Sequence, residues 1–198
     1  LLRKSLMKQV KPLFNIVTPK NIKYIFKYEK RQFIERLSKL IEMTKVSSLR
    51  IHTANLNSEE LVEISNDIKQ LCSNKILIII ENDIELAVRL SLDGVHLTNG
   101  QKLVKKAKLL LSENQVVGAF CGLSKHSALV AAEHGADYIA FDASYRSSQK
   151  TEEIVELFKW WSEFIEIPVM GECQNDYPIS RRIWNHCDFF SIGDKVWQ

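Results

Sequence analysis

Glycine is scarce in this chain, with 7 residues in 198, about half the usual share. Backbone cradles for phosphate depend on glycine, because the chain must approach the anion closely or adopt positive φ, so few such cradles are expected. No GxGxxG or GxxxxGK(S/T) turn follows the first strand-like run, which removes the signature of a dinucleotide or P-loop site. The four cysteines, Cys72, Cys121, Cys173 and Cys187, lie far apart without CxxC spacing. They exclude a zinc ribbon or thioredoxin-like motif and read as buried free thiols. Long hydrophobic runs are missing too. Ile76 to Ile80 is too short to span a bilayer, and Leu1 to Lys11 lacks the apolar core and cleavage site of a signal peptide. A cytoplasmic protein without a membrane partner is expected, and because the chain opens on Leu1 rather than Met, further residues are expected to precede it. Neither sign of charge dominates: 27 basic against 24 acidic residues give +3, too even to imply a nucleic-acid partner without a clustered stripe. Arg3, Lys4, Lys8 and Lys11 form a basic N-terminal arm, residues 1–12, of the kind usually solvated.

What is present is a strand and helix alternation over residues 13–198, of a length that suits one domain. Leu13 to Thr18, closed by Pro19, reads as a buried strand. Phe33, Ile34, Leu37, Leu40 and Ile41 recur at helical spacing over Arg31 to Met43. Ser48 to His52 is strand-like, and Asn57-Ser58-Glu59-Glu60 is a helix start ahead of Leu61, Ile64 and Ile68. The β-branched run Ile76 to Ile80 suits a strand buried on both faces, hence parallel pairing. Helices over 85–92, 102–111, 127–134, 152–164 and 179–185 then alternate with strands over 94–97, 116–120, 138–141, 168–170 and 189–192. Eight such units in about 200 residues fit a single (β/α)8 TIM barrel at its lower size limit. A doubly wound open sheet competes, but lacks its Gly-rich turn.

A barrel of this kind places its site at the C-terminal strand ends. Those positions hold Arg50 and His52, Glu81 and Asn82, His96, Thr98 and Asn99, Ser124, Asp142, Ser147 and Lys150, and Glu172. Arg50, Ser124, Ser147 and Lys150 together have the cations and hydroxyl donors to bind a phosphate or diphosphate. For Arg50 a barrel-mouth salt bridge is an equal alternative, and for Lys150 a solvated helix start. Glu81 with Asn82 offers oxygen ligands for magnesium, whereas His52, His96 and His126 lack metal-ligand spacing and read as structural. The Trp160-Trp161 pair reads first as helix-to-barrel packing and second as a dimer interface, leaving a homo-oligomer open.

Asp93-Gly94-Val95-His96-Leu97, Gly122-Leu123-Ser124-Lys125-His126-Ser127 and Gly135-Ala136-Asp137-Tyr138-Ile139 resemble thiamine-phosphate synthase, over about Leu13 to Trp197. The resemblance implies a (β/α)8 barrel that couples a hydroxymethylpyrimidine diphosphate to a thiazole phosphate, using Mg2+ and releasing pyrophosphate. It puts Arg50, Ser124 and Lys150 in catalytic roles, Ser147 with them in substrate binding, and Glu81 and Asn82 at the metal. The family's Gln-Leu-Arg-x-Lys falls on Ser48 to His52, where Leu49 and Arg50 remain. Its Asn-Asp pair falls on Glu81 and Asn82, or on Asn82 and Asp83 with a one-residue slip. Thr98 to Gln101 replaces Gly-Gln-x-Asp, Gln149 replaces the second Thr of Thr-x-Thr-Lys, Cys173 and Gln174 replace two glycines, and Gly193-Asp194 replaces Ile-Ser. These departures leave an alternative: a barrel of the same family that has lost the coupling and binds a phosphorylated metabolite or a protein partner. A thiazole tautomerase ranks lower, because its catalytic His would fall at Asp142.

Overall fold

The computed structural model describes residues 12–43, 45–72, 75–144, 148–173 and 181–197; the basic arm, apart from Pro12, and Ser147 lie outside them. Eight strands, β1 (Leu13–Val17), β2 (Val46–Ile51), β3 (Leu77–Glu81), β4 (Gly94–Leu97), β5 (Val116–Phe120), β6 (Tyr138–Asp142), β7 (Val169–Glu172) and β8 (Phe189–Ile192), pair in order and close into a barrel. Every pairing is parallel, including the β8 to β1 seam. The connections carry α1 (Ile22–Tyr28), α2 (Lys30–Met43), α3 (Ser58–Cys72), α4 (Ile84–Arg89), α5 (Gly100–Leu110), α6 (Lys125–Glu133) and α7 (Ser148–Phe164). Before β8 the described residues form a 3-10 helix, Arg181–His186, and a second, Asp194–Trp197, follows β8, so the helix expected over 179–185 is of the tighter kind where it is described.

Period-two alternation sorts each strand onto two faces. Leu49 and Ile51, Ile78 and Ile80, Val95 and Leu97, Val117 and Ala119, and Ile139 and Phe141 join the core beneath the helices. The alternate residues fill the barrel. Tyr138, Ala140 and Met170, with Phe120 and Phe189 against them, make a separate inner apolar cluster, and Asn15, Ser48, Arg50, Glu81, His96, Glu172 and Ser191 are buried polar residues on the same strands. Asn15 donates to Ser48 at 2.7 Å and faces the Ser191 hydroxyl at 3.4 Å, knitting three strands from within.

Asp93, Asp137 and Asp188 each precede an even-numbered strand, and each accepts from a backbone N–H of the odd strand before it: Ile78, Val117 and Val169, at 2.6, 2.7 and 2.8 Å. They satisfy amides where those strands begin, at the N-terminal end of the barrel, opposite the face that carries the site.

The helix starts are legible in the chain. Asn57 and Glu60 exchange side-chain to backbone hydrogen bonds at 2.9 and 3.0 Å, a reciprocal capping box opening α3. Helix α1 is additional to the expected elements: Ile22, Ile25 and Phe26 do recur at helical spacing, and Phe26 packs on Phe33 of α2 at 5.4 Å. Trp161 is fully buried, lies edge-on to Phe141 of β6 at 5.5 Å, and donates its indole N–H to the Ile167 carbonyl. Trp160 is half-buried under the Lys125 ammonium, 4.4 Å from its ring centre. At the seam, the Trp197 indole donates to the Val17 carbonyl at 2.7 Å and the Lys20 amide to Asp194 at 3.2 Å. No helix among the described residues is long and apolar enough to cross a membrane.

Candidate functional site

Arg50 sits one residue before the end of β2 on its inward face, 4% exposed. Its two terminal nitrogens donate to both oxygens of Glu172, at the end of β7, at 2.8 and 2.9 Å. This paired geometry matches a planar guanidinium to a planar carboxylate. Its Nε lies 3.2 Å from Glu81 Oε1, at the end of β3, but off the line of a well-formed hydrogen bond. The other Glu81 oxygen accepts from His52 Nδ1 at 2.6 Å. Deeper still, the fully buried His96 on β4 accepts from the Tyr138 hydroxyl at Nδ1, 2.8 Å away, and turns Nε2 toward Glu172 Oε2 at 3.2 Å. The nearby carboxylate puts the imidazole proton on Nε2. Gly118 of β5 makes this possible, because a Cβ there would land on the Tyr138 ring.

The charge states follow from burial set against partners. Burial alone raises the Glu172 carboxyl, but Arg50 and then His96 outweigh it and hold Glu172 well below the usual carboxylate range. Glu81 is likewise raised by burial, yet the His52 hydrogen bond and the Arg50 charge bring it below its ordinary value. For Arg50, burial works against the charge and Glu172 and Glu81 more than restore it. Burial, then the Arg50 charge, lowers His96, so its imidazole is neutral. The result is one cation and two ionised carboxylates, largely buried.

Above this cluster the mouth opens into a cleft of about 250 Å³, whose lining includes Arg50, His52, Glu81 and Glu172 at the floor and Lys20 and Asp194 toward the seam. Thr18, Thr98, Cys173, Ser191 and Gly193 complete the polar wall. Of the residues expected at the site, Arg50 and Glu81 meet here. Arg50 makes a barrel-mouth salt bridge, one of the two readings open for it. Ser124 follows β5 and caps α6, its hydroxyl oxygen accepting from the Ser127 amide at 3.1 Å, and Lys150 is exposed in the first turn of α7. Both follow C-terminal strand ends, but neither lines the cleft. Ser147 and Gln174 lie outside the described residues.

The donors in place do not fit a magnesium site. Glu81 gives one oxygen to His52 and turns the other to Arg50. Asn82, at φ +56°, donates its amide to Thr98 Oγ1 at 2.9 Å and accepts from the Thr98 amide at 2.9 Å. The slipped alternative fails as well, since Asp83 caps α4 through the Leu86 amide at 2.8 Å. Among the described residues no three His, Cys, Asp or Glu groups converge to hold a metal.

Sequence reasoning missed the central part of Glu172 and the contribution of Lys20 and Asp194. A carboxylate at the end of the otherwise uncharged run Val169-Met170-Gly171 was the available signal for the first.

Residues 14–172 match the family model described as thiamine monophosphate synthase. The thiamine-phosphate synthase of Erythrobacter litoralis is 29% identical over 177 residues, covering 83% of this chain and 82% of the relative. That of Rhodospirillum centenum is 28% identical, covering 86% and 84%. Among solved structures, thiamine phosphate pyrophosphorylase from Pyrococcus furiosus superposes with a TM-score of 0.70 at 21% identity, over 98% of this chain and 88% of the other, a likeness of fold. The family is generally magnesium-dependent.

Proposed function

Because the chain belongs to the thiamine monophosphate synthase family, we propose that it couples a hydroxymethylpyrimidine diphosphate to a thiazole phosphate with release of pyrophosphate, a step of thiamine biosynthesis. The observation that carries this reading is the extent of the family match, residues 14–172, which runs from β1 to the last residue of β7 and includes Arg50, Glu81 and Glu172. In the reaction the bond between the pyrimidine methylene and the diphosphate oxygen breaks, the thiazole nitrogen bonds to that carbon, and the leaving diphosphate keeps the electron pair. Donors that strengthen their hold as charge gathers on the leaving oxygen lower the barrier. Ser124, Ser147 and Lys150 are the residues assigned to the diphosphate: Ser124 uses its oxygen as a helix cap and so keeps its hydroxyl proton to donate. Glu81 and Asn82 are committed to His52, Arg50 and Thr98 and do not fit a magnesium ion. Small phosphorylated substrates of this kind support the reading of a cytoplasmic protein. Family membership gives no support to the reading of a barrel that only binds.

The test is formation of thiamine phosphate and pyrophosphate from the two precursors, with magnesium and with chelator. Equal yields of both products are expected, and Lys150→Ala should lower kcat by about 10²-fold, as loss of one charge-stabilising donor does elsewhere. A preparation with a cooperative unfolding transition that makes neither product sinks the assignment.

A further inference from the structure

Helices α5, α6 and α7 follow one another round the barrel, and their outer faces carry groups that the fold does not use. Lys23, Lys30 and Arg182 are each matched within the chain, by Glu60, Asp67 and Glu152. By contrast, Lys102 and Lys105 on α5 and Glu153 and Glu156 on α7 are exposed. Among the described residues none of these four has an ion-pair partner within 4.0 Å. Leu109 at the end of α5 and Phe164 at the end of α7 are 79% and 71% exposed, the least covered large apolar side chains among the described residues. Leu129 of α6 and Leu123 just before it are exposed between them. Single exposed apolar residues are ordinary, but a run of them beside unmatched charge marks a contact surface.

The orientation of each helix is fixed by its neighbours. Gln101 and Lys108 mark the side of α5 toward α6, through Ser127 at 2.7 Å and Asp137 at 3.1 Å; Lys105 and Leu109 follow them outward at helical spacing. On α7 the side toward α6 is marked by Trp160, under Lys125, and by a gap of about 230 Å³ whose lining includes Leu123, Glu153 and Leu157. Phe164, one turn beyond Trp160, continues that line. From the mouth downward, α5 therefore presents Lys102, Lys105 and then Leu109, and α7 presents Glu153, Glu156 and then Trp160 and Phe164.

We propose that this face pairs with the same face of a second copy of the chain, across a two-fold axis parallel to the barrel axis and beside α6. In an isologous contact a patch meets itself, so its two flanks must be complementary. A parallel two-fold sets α5 of each copy against α7 of the other, at the same height on both sides of the axis. Lysines then meet glutamates near the mouths, and Leu109 meets Trp160 and Phe164 lower down. Leu129 meets its counterpart at the centre, with His126 and Glu133 above and below it. The gap between α6 and α7 suits a lysine of the second copy, its stem on Leu123 and Leu157 and its ammonium at Glu153. A two-fold at right angles in the same face would set α5 on α5 and α7 on α7, like charge on like, which opposes association. Both clefts then open on the same side of the dimer. The proposal is independent of the coupling reading.

Sedimentation equilibrium on the full chain tests it. Wild type should form a two-chain species with a dissociation constant under about 50 μM, weakened at least about tenfold when salt is raised from about 0.05 to about 0.5 M. Lys102→Glu with Lys105→Glu, and separately Glu153→Lys with Glu156→Lys, should each raise that constant at least about 30-fold. An equimolar mixture of the two variants should return to within about threefold of wild type, because each offers on both flanks the charge the other needs. The four positions are exposed, and the unfolding transition of each variant checks its fold. A wild-type constant above that bound, a four-chain or larger assembly, a dimer that either reversal leaves intact, or a mixture of folded variants that stays monomeric overturns the inference. If a reversal does not fold, Leu109→Asp decides: loss of the dimer upholds the face, and an unchanged dimer overturns it.

Discussion

Replacing Arg50 by methionine keeps most of the side chain's length and removes its charge, stranding Glu172 inside the barrel. The carboxylate would lose contacts at 2.8 and 2.9 Å and retain only the misaligned approach of His96 at 3.2 Å. Its side chain is 7% exposed, so water replaces little of what is lost. Breaking a buried ion pair from one side costs about 3–5 kcal/mol, and in a chain of this size each kcal/mol lowers the melting temperature by about 2–4 °C. Arg50→Met should therefore melt about 6–20 °C below wild type. Glu172→Met should cost a similar amount, since Arg50 then faces only Glu81. The double variant removes both charges together, and Glu81 keeps its bond to His52. It should recover most of the loss, because an apolar pair of like volume is neutral or better than a buried ion pair. Urea unfolding followed by circular dichroism yields the coupling energy, expected to be at least about 3 kcal/mol. Single variants that each cost under about 1 kcal/mol, or a double variant whose loss is the plain sum, would refute a closed and mutually dependent cluster.

Acid should weaken the fold in two stages. His96 is held below its ordinary 6.5, so the unfolded chain takes up that proton first and stability falls as pH drops below this value. Glu172 and Glu81 are held below 4.5; their contribution is complete above that pH and is lost on the way down to their folded values. Urea midpoints measured from about pH 7 to pH 3 should decline throughout, and a flat profile over that span contradicts the assigned charge states. Gly118→Ala would drive a methyl group into the Tyr138 ring. It should cost about 1–3 kcal/mol, and less when Tyr138→Leu is added; a melting temperature equal to wild type would show that the ring can move aside.

Much of the barrel was legible because most strands are short, largely apolar runs bounded by turn residues. The runs at 94–97, 116–120 and 189–192 coincide with β4, β5 and β8. Helix α1 escaped because seven residues interleaved with lysine give a weak pattern behind Pro19. The 3-10 helices at Arg181–His186 and Asp194–Trp197 carry too little periodicity to tell from α-helices. At the site, alternation along Ser48, Leu49 and Arg50 leaves only two directions for Arg50. What it meets there is a partner 122 residues away, and no local pattern encodes that. Asn82 shows the same limit: its residue type suits a ligand, but its left-handed backbone and the Thr98 amide 16 residues on turn it into a clasp between the ends of β3 and β4.

The β1 to β8 seam joins opposite ends of the sequence. The Trp197 indole reaches Val17 across 180 residues, and Ser191 faces Asn15 across 176. Contacts of such separation form late, because chain entropy must be lost before they return anything. Until β8 arrives, β1 and β7 are raw sheet edges with unpaired amides and carbonyls, a template for pairing with other chains. A chain stopped just after Glu172 would contain every charged member of the floor, and the whole span that marks the family, yet present two open edges. Shortening this protein from its C-terminal end is therefore all-or-none: the first few strand residues removed there convert a closed cylinder into a sticky open sheet.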